Sequence, residues 1–291
     1  MSKPLVKGDR TMANPYDFPE LPEATIQTNC CAQNSREAPR FESALPRRSF
    51  LQAAVCASAI GAFPWLAHAG SRVPKAGAGV TLFGLGGAGS NIMERYLAEP
   101  GVPPVRTVCI NTDRDSLARR HADKKLLLDL DACPESMPYA KRVLRVVAEN
   151  QNELEALVRE SEYVLLCAGL GRRTGVHLAL RLTRLAQDNN IPVAAVVSLP
   201  FAFEGGCATR AAATVLYMLR SWTPMVQAVS LDEIAQRVGM DAPLVDALEA
   251  ANSALVRMAA ASISAYSDQR VTRDSENMGV AQLRLQELVS K

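Results

Sequence analysis

The chain has 291 residues, 48% of them hydrophobic, and its 32 basic and 30 acidic side chains leave a net charge of +2. That length supports one large domain or two small ones with a real core, and the balance of charge is wrong for a surface that neutralises a nucleic-acid backbone. Seven cysteines without a C-x-x-C pair, and only three histidines, argue against a disulfide framework or a zinc site.

Residues 1–45 scatter Pro, Asn and Glu without apolar periodicity and read as a disordered leader. Residues 46–69 follow a different pattern. Arg47-Arg48 precede Phe50-Leu51 at the spacing of a twin-arginine export signal, and Ala67-His68-Ala69 has the form of a cleavage site. The apolar run from Leu51 to Leu66 is short of the about 20 residues that a spanning helix needs. The competing reading is a hydrophobic anchor that touches a membrane. A linker over 70–79 follows.

From Val80 the chain alternates short β-branched runs with segments of helical period. Strands are expected at Val80–Phe83, Val105–Ile110, Leu126–Leu130, Tyr163–Cys167, Val193–Ser198 and Met225–Val229. Helices are expected at Tyr139–Arg159, Val176–Gln187 and Ala211–Ser221. Strands with helices between them must be joined by parallel crossovers, which gives an α/β, doubly wound, mostly parallel, Rossmann-like sheet over 80–240. In such a sheet, ligands bind beyond the carboxyl ends of the strands. A long helix is expected from Ala242 to Tyr266, with Leu244, Leu248, Leu255, Met258, Ser262 and Tyr266 on its apolar face. A weakly amphipathic segment follows from Val280 to Leu288.

Two strand-to-helix turns are rich in glycine. The first reads Gly84-Leu85-Gly86-Gly87-Ala88-Gly89-Ser90-Asn91, and the second Ala168-Gly169-Leu170-Gly171-Arg172-Arg173-Thr174-Gly175. Glycine lets backbone approach phosphate oxygens, and a helix N-terminus offers free N–H groups and positive potential. Gly84, Gly86 and Gly89 also satisfy the G-x-G-x-x-G dinucleotide pattern, with Asp113 near the position of a ribose-binding acid. A nicotinamide-dependent oxidoreductase is therefore an alternative. It leaves the second turn unexplained, and two such turns on one sheet suit a di- or triphosphate between them. Cys109 and Cys167 read as core, His177 as phosphate-facing or simply packed, and Phe201 with Phe203 as a buried aromatic pair.

The order of these segments resembles the nucleotide-binding domain of the FtsZ/tubulin family, over about Val80 to Leu288. The first glycine turn resembles the family's, with Asn91 at its guanine-reading end. Asn111-Thr112-Asp113 matches its N-T-D, and Ala168 to Gly175 its A-G-x-G-G-G-T-G signature. Pro200-Phe201-Ala202-Phe203-Glu204-Gly205 matches its P-F-x-F-E-G, where Glu204 would bind ribose. Asp246 to Asn252 resembles the central helix, set at 241–267, with Asn252 reading guanine and Leu248 in place of the ring that stacks on the base. The resemblance implies GTP or GDP as ligand, with Mg2+ accompanying GTP. Nucleotide-binding residues would be Gly84, Gly86, Gly87, Ala88, Gly89, Asn91, Gly169, Gly171, Arg172, Arg173, Thr174, Gly175, Glu204, Leu248 and Asn252.

The departures from the family pattern matter as much. Arg172 and Arg173 replace two glycines, and Val176-His177 replaces the closing T-G. Asp129 to Glu135 stands where the family has a glycine-bearing γ-phosphate loop. In 268–291, a degenerate catalytic-loop region and short helix, Gly279 and Gln282 replace the two catalytic aspartates, and no catalytic residue is expected. A second, β-rich domain is expected to be absent. These features imply a guanine-nucleotide-binding protein with weak or no hydrolysis, a regulator or remnant of the division GTPase. Its partner would be a true FtsZ or a second copy, and it would not bind nucleic acid. A nucleotide-free scaffold is the remaining alternative. The cytoplasm or the inner face of its membrane is the expected location, and the periplasm is the alternative through the twin-arginine route.

Overall fold

A computed structural model describes residues 79–239 and 241–289, with side-chain environments through Arg270. The expected leader, twin-arginine segment and linker lie outside the described residues, except Gly79. The side chains of Gly279 and Gln282 do so as well. Among the described residues, no helix is long and apolar enough to cross a membrane.

Six strands form one sheet: β1 Val80–Leu85, β2 Arg106–Asn111, β3 Lys124–Leu127, β4 Tyr163–Gly169, β5 Val193–Leu199 and β6 Val226–Ser230. Their order is β3-β2-β1-β4-β5-β6, and every pairing is parallel. The direction of winding reverses between β1 and β4, where Gly84 pairs with Cys167 and Leu85 with Ala168. A doubly wound sheet opens its ligand crevice at such a reversal. The helices are α1 Gly86–Ala98, α2 Arg114–Ala118, α3 Tyr139–Glu149, α4 Gln151–Arg159, α5 Arg173–Asp188, α6 Gly206–Trp222, α7 Leu231–Val238 and α8 Leu244–Val289.

Alternate strand residues feed two cores. Phe83, Leu85, Val108, Ile110 and Leu166 pack with Val143, Leu154, Leu178, Leu182 and Leu219 from α3 to α6. On the other face, Leu82, Cys109, Leu165 and Cys167 meet Ile92, Met93 and Tyr96 of α1 and Leu255, Ala259 and Ile263 of α8. Burial pushes the Cys167 thiol up to about 12, so it stays protonated and packs as a small apolar group.

Four expectations need correction. The third strand is Lys124–Leu127 rather than Leu126–Leu130. Asp123 fixes it by accepting from the amide (2.7 Å) and hydroxyl (2.8 Å) of Thr107, and Lys124 and Lys125 mark an exposed sheet edge. The helix expected over 139–159 is two helices. Asn150 donates its side-chain amide back to the Val146 carbonyl (2.8 Å), which ends α3 by competing for helical acceptors.

The long helix begins at Leu244 and continues without a break to Val289, where a degenerate catalytic-loop region and a separate short helix had been expected over 268–291. At 1.5 Å per residue its 46 residues span roughly 69 Å. No proline interrupts 268–289, and its one glycine, Gly279, costs only about 1 kcal/mol relative to alanine. The buried ridge of α8 is only partly the predicted one: Leu255 and Ser262 are buried and Met258 and Tyr266 pack against the same core, but Leu244 and Leu248 do not. Ala247, Ala251, Leu255, Ala259 and Ile263, four residues apart, face the sheet, whereas Leu244 is 49% and Leu248 38% exposed. Small side chains let the helix lie close against the strands. Its described end is pinned where Tyr266 stacks on Tyr163 (centroids 4.3 Å) and Arg270 pairs with Glu162.

Candidate functional site

The two glycine turns leave β1 and β4 side by side and interlock. Gly86, at φ +65°, occupies the left-handed region, and a Cβ there would stand 3.4 Å from the Gly175 amide and 3.5 Å from the Thr174 Cβ. A Cβ on Gly169 would reach the Ala88 methyl at 2.7 Å, and one on Gly175 the Gly169 carbonyl at 2.7 Å. At Gly89 it would overlap the Cys167 carbonyl oxygen outright. These glycines hold α1 and α5 against the sheet and against each other. Gly87, by contrast, has open space around it.

Both helices begin at this junction without a side-chain cap and without an acid in the first turn. Uncapped first-turn amides are unsatisfied donors with positive potential. At α5 the N-cap and first residue are Arg172 and Arg173, and neither guanidinium has a carboxylate partner among the described residues. The junction gathers positive potential of a kind that attracts an anion.

Hydroxyls line its second side. Thr112 Oγ1, Tyr139 Oη and Thr174 Oγ1 lie 3.1–3.3 Å from one another, tying the end of β2 and the start of α3 to α5. Tyr139 was not foreseen as a site residue. It occupies the first position of its helix, and its ring, 46% exposed, gave no apolar signal. Asn111 is buried and accepts the Thr112 amide (2.8 Å), shaping the turn that carries Thr112.

The third segment closes over the second turn. A Cβ on Gly171 would lie 3.1 Å from a Glu204 carboxylate oxygen and 2.9 Å from Pro200. Glu204 accepts the Phe201 amide (3.0 Å) within a 3-10 turn over Ala202–Glu204, and Gly205 follows at φ +102°. The aromatic pair is not buried as expected. Phe201 is buried, but Phe203 is 72% exposed and stacks on it at 4.8 Å, because the tight turn lifts it out of the sheet.

Of the predicted residues, the structure brings together Gly84, Gly86, Ala88, Gly89, Gly169, Gly171, Thr174, Gly175 and Glu204. Asn91 stands exposed on α1, and Asn252 is half-buried on α8 beside Ser253, whose hydroxyl accepts from Arg95 (3.4 Å). His177 is 9% exposed, and burial, aided by the charge of Arg173, lowers its pKa to about 4. It is a packed, neutral imidazole. Asp113 caps α2 by accepting the Ser116 amide (2.9 Å), so its carboxylate already has a structural task. The segment before α3 is closed on itself, with Asp129 paired to Arg114 (3.1 Å) and the Leu130 carbonyl held by Arg142 (2.9 Å). Among the described residues, no cluster of three or more His, Cys, Asp or Glu could hold a metal ion.

Comparison with known proteins agrees with this geometry. The profile of the Tubulin/FtsZ family, GTPase domain, matches residues 79–236. Cell division protein FtsZ 1 of Methanocaldococcus jannaschii is 30% identical over 179 residues, covering 61% of this chain and 49% of that one. The structure of an FtsZ point mutant from the same organism superposes with TM-score 0.55 at 30% identity, over 62% of this chain and 55% of the other. An empty FtsZ dimer from M. jannaschii gives 0.55 at 26% identity, over 73% and 57%. The chain spans about half the length of the curated relatives it matches.

Proposed function

The chain belongs to the tubulin/FtsZ family through its GTPase domain, and on that premise we propose that it binds GDP or GTP at the β1–β4 reversal with little or no hydrolysis of its own. One observation carries this reading: two uncapped helix N-termini meet through glycine turns in which Gly89, Gly169 and Gly175 leave no room for a Cβ. The residues fit the ligand. Amides of the turns from Gly86 to Gly89 and from Gly171 to Gly175 would receive the phosphates, and the Glu204 carboxylate would accept from the ribose. Asn91 and Asn252 would read the base edge, with Leu248 giving it apolar contact in place of a ring. Mg2+, if it accompanied GTP, would supply further positive charge to the phosphates.

Slow turnover follows from Gly279 and Gln282, neither of which can act as a general base toward water. The helical backbone through both positions supports the same view, since a helix does not present a loop to a neighbouring site. The partner is a second copy or an FtsZ, a reading supported by the dimeric relative. We place the protein in the cytoplasm or at the inner face of its membrane. Fractionation with and without Arg47→Lys and Arg48→Lys tests this, because a shortened periplasmic species that the substitutions abolish would contradict it.

The binding test is nucleotide recovery. Acid extraction of the purified protein, followed by calorimetric titration with GDP and with NADH, should give a guanine nucleotide and no response to NADH. A response to NADH alone would overturn the reading.

A further inference from the structure

We infer that Arg172 and Arg173 serve as the fixed counter-charge of the phosphate site, so that a nucleoside diphosphate binds there without a divalent cation. The inference rests on the reading that this site takes a nucleotide, and goes beyond it by naming what neutralises the phosphates. Two adjoining N-termini, of α1 and α5, carry about half a positive charge each. The two guanidinium groups add two more, at the N-cap and first position of α5, with no carboxylate partner among the described residues. The sum, about +3 before the Glu204 carboxylate packed on Gly171 is set against it, is comparable with the charge of a nucleoside diphosphate, whose terminal phosphate carries about −1.5 to −2 and whose inner one carries a further unit.

Positive groups gathered at one helix end repel one another, the Glu204 carboxylate packed on Gly171 offsets only part of that charge, and a bound polyanion would relieve the rest. The neighbouring imidazole cannot share the load, since His177 stays neutral beside Arg173. Thr112, Tyr139 and Thr174 contribute neutral hydroxyls. The segment leading into Tyr139 adds exposed acids, Asp131 and Glu135, which disfavour a third phosphate. Arginine also suits the role chemically, because its planar fork binds two phosphate oxygens and never loses its charge. The opposite reading is that the two side chains crowd the phosphates, and this has an opposite signature.

The experiment titrates GDP, GTP and inorganic pyrophosphate into the full chain, with Mg2+ and with EDTA. It compares the parent with Arg172→Gln/Arg173→Gln, Arg172→Gly/Arg173→Gly and Arg172→Lys/Arg173→Lys, each checked for an unchanged melting transition. For the parent, GDP affinity should change by less than about threefold on removing Mg2+, and GDP should bind more tightly than GTP. The Gln and Gly pairs should each lose about tenfold or more in EDTA and regain part of it with Mg2+, while the Lys pair keeps most of the affinity. Tighter binding by the Gly pair would establish crowding and overturn the inference, as would parent binding that collapses in EDTA. Pyrophosphate binding without guanine-nucleotide binding would uphold the arginine assignment and sink the nucleotide reading. Binding of neither would sink both.

Discussion

Gly169 sits directly against the Ala88 methyl, so that a Cβ on the glycine would approach it to 2.7 Å. This one contact couples the turn after β4 to the turn after β1, and the site exists because the two turns share that space. Gly169→Ala is expected to destabilise the fold by about 1–3 kcal/mol through overpacking, and to weaken ligand binding further by parting the turns. Gly87→Ala, with open space around it, should cost under about 0.5 kcal/mol. Urea melts of the two variants test the contrast, and equal losses would refute the interlocking.

The hydroxyl triangle gives a second prediction. Thr174→Val removes a group within 3.1 Å of Tyr139 Oη and 3.2 Å of Thr112 Oγ1, and should cost about 1 kcal/mol for each bond lost. Tyr139→Phe also removes two contacts, at 3.1 and 3.3 Å, and should cost a similar amount. A double-mutant cycle between them that shows no coupling would mean that the triangle does not act as a unit.

Acid should expose His177. Its pKa in the fold, about 4, lies below the ordinary 6.5, so between those values the unfolded chain takes up a proton that the folded one refuses. The stability from its neutral burial is complete above pH 6.5 and declines as pH falls toward 4. By pH 5 this amounts to a loss of about 2 kcal/mol relative to pH 7.5. Chemical denaturation of the parent and of His177→Gln at both pH values should show that difference in the parent alone, over whatever carboxylates contribute to both. Parallel pH profiles would contradict the burial.

Helix α8 offers a test of its corrected face. Ala259→Leu should destabilise by about 1–3 kcal/mol, because the ridge it belongs to is fully buried. Leu248→Ala, at an exposed position, should change stability by less than about 0.5 kcal/mol while lowering nucleotide affinity. Thermal melts alongside GDP titration separate the two effects. A large stability loss at Leu248 would restore the face expected from periodicity.

The sheet was legible because its strands are largely continuous apolar runs that alternate with segments of helical period, which requires parallel crossovers. The helix face was legible only from Leu255 onward. Leucine spacing pointed to Leu244 and Leu248, but the packed ridge is mostly alanine, whose small side chains permit close approach and give little hydrophobic signal. Nor could the sequence give Tyr139, which joins the site through one hydroxyl, or the lift of Phe203, which a three-residue turn decides. The register of β3 depended on Asp123 bonding to Thr107 across the sheet, a contact that no local pattern announces.

Hydrogen exchange by mass spectrometry, with and without GDP, tests the central claim most directly, because it reads the backbone amides said to hold the phosphates. GDP is expected to protect both turns together, over Gly86–Asn91 and Arg172–Val176, with NADH leaving both unchanged. No protection by GDP, or protection by NADH confined to the first turn, would contradict the account.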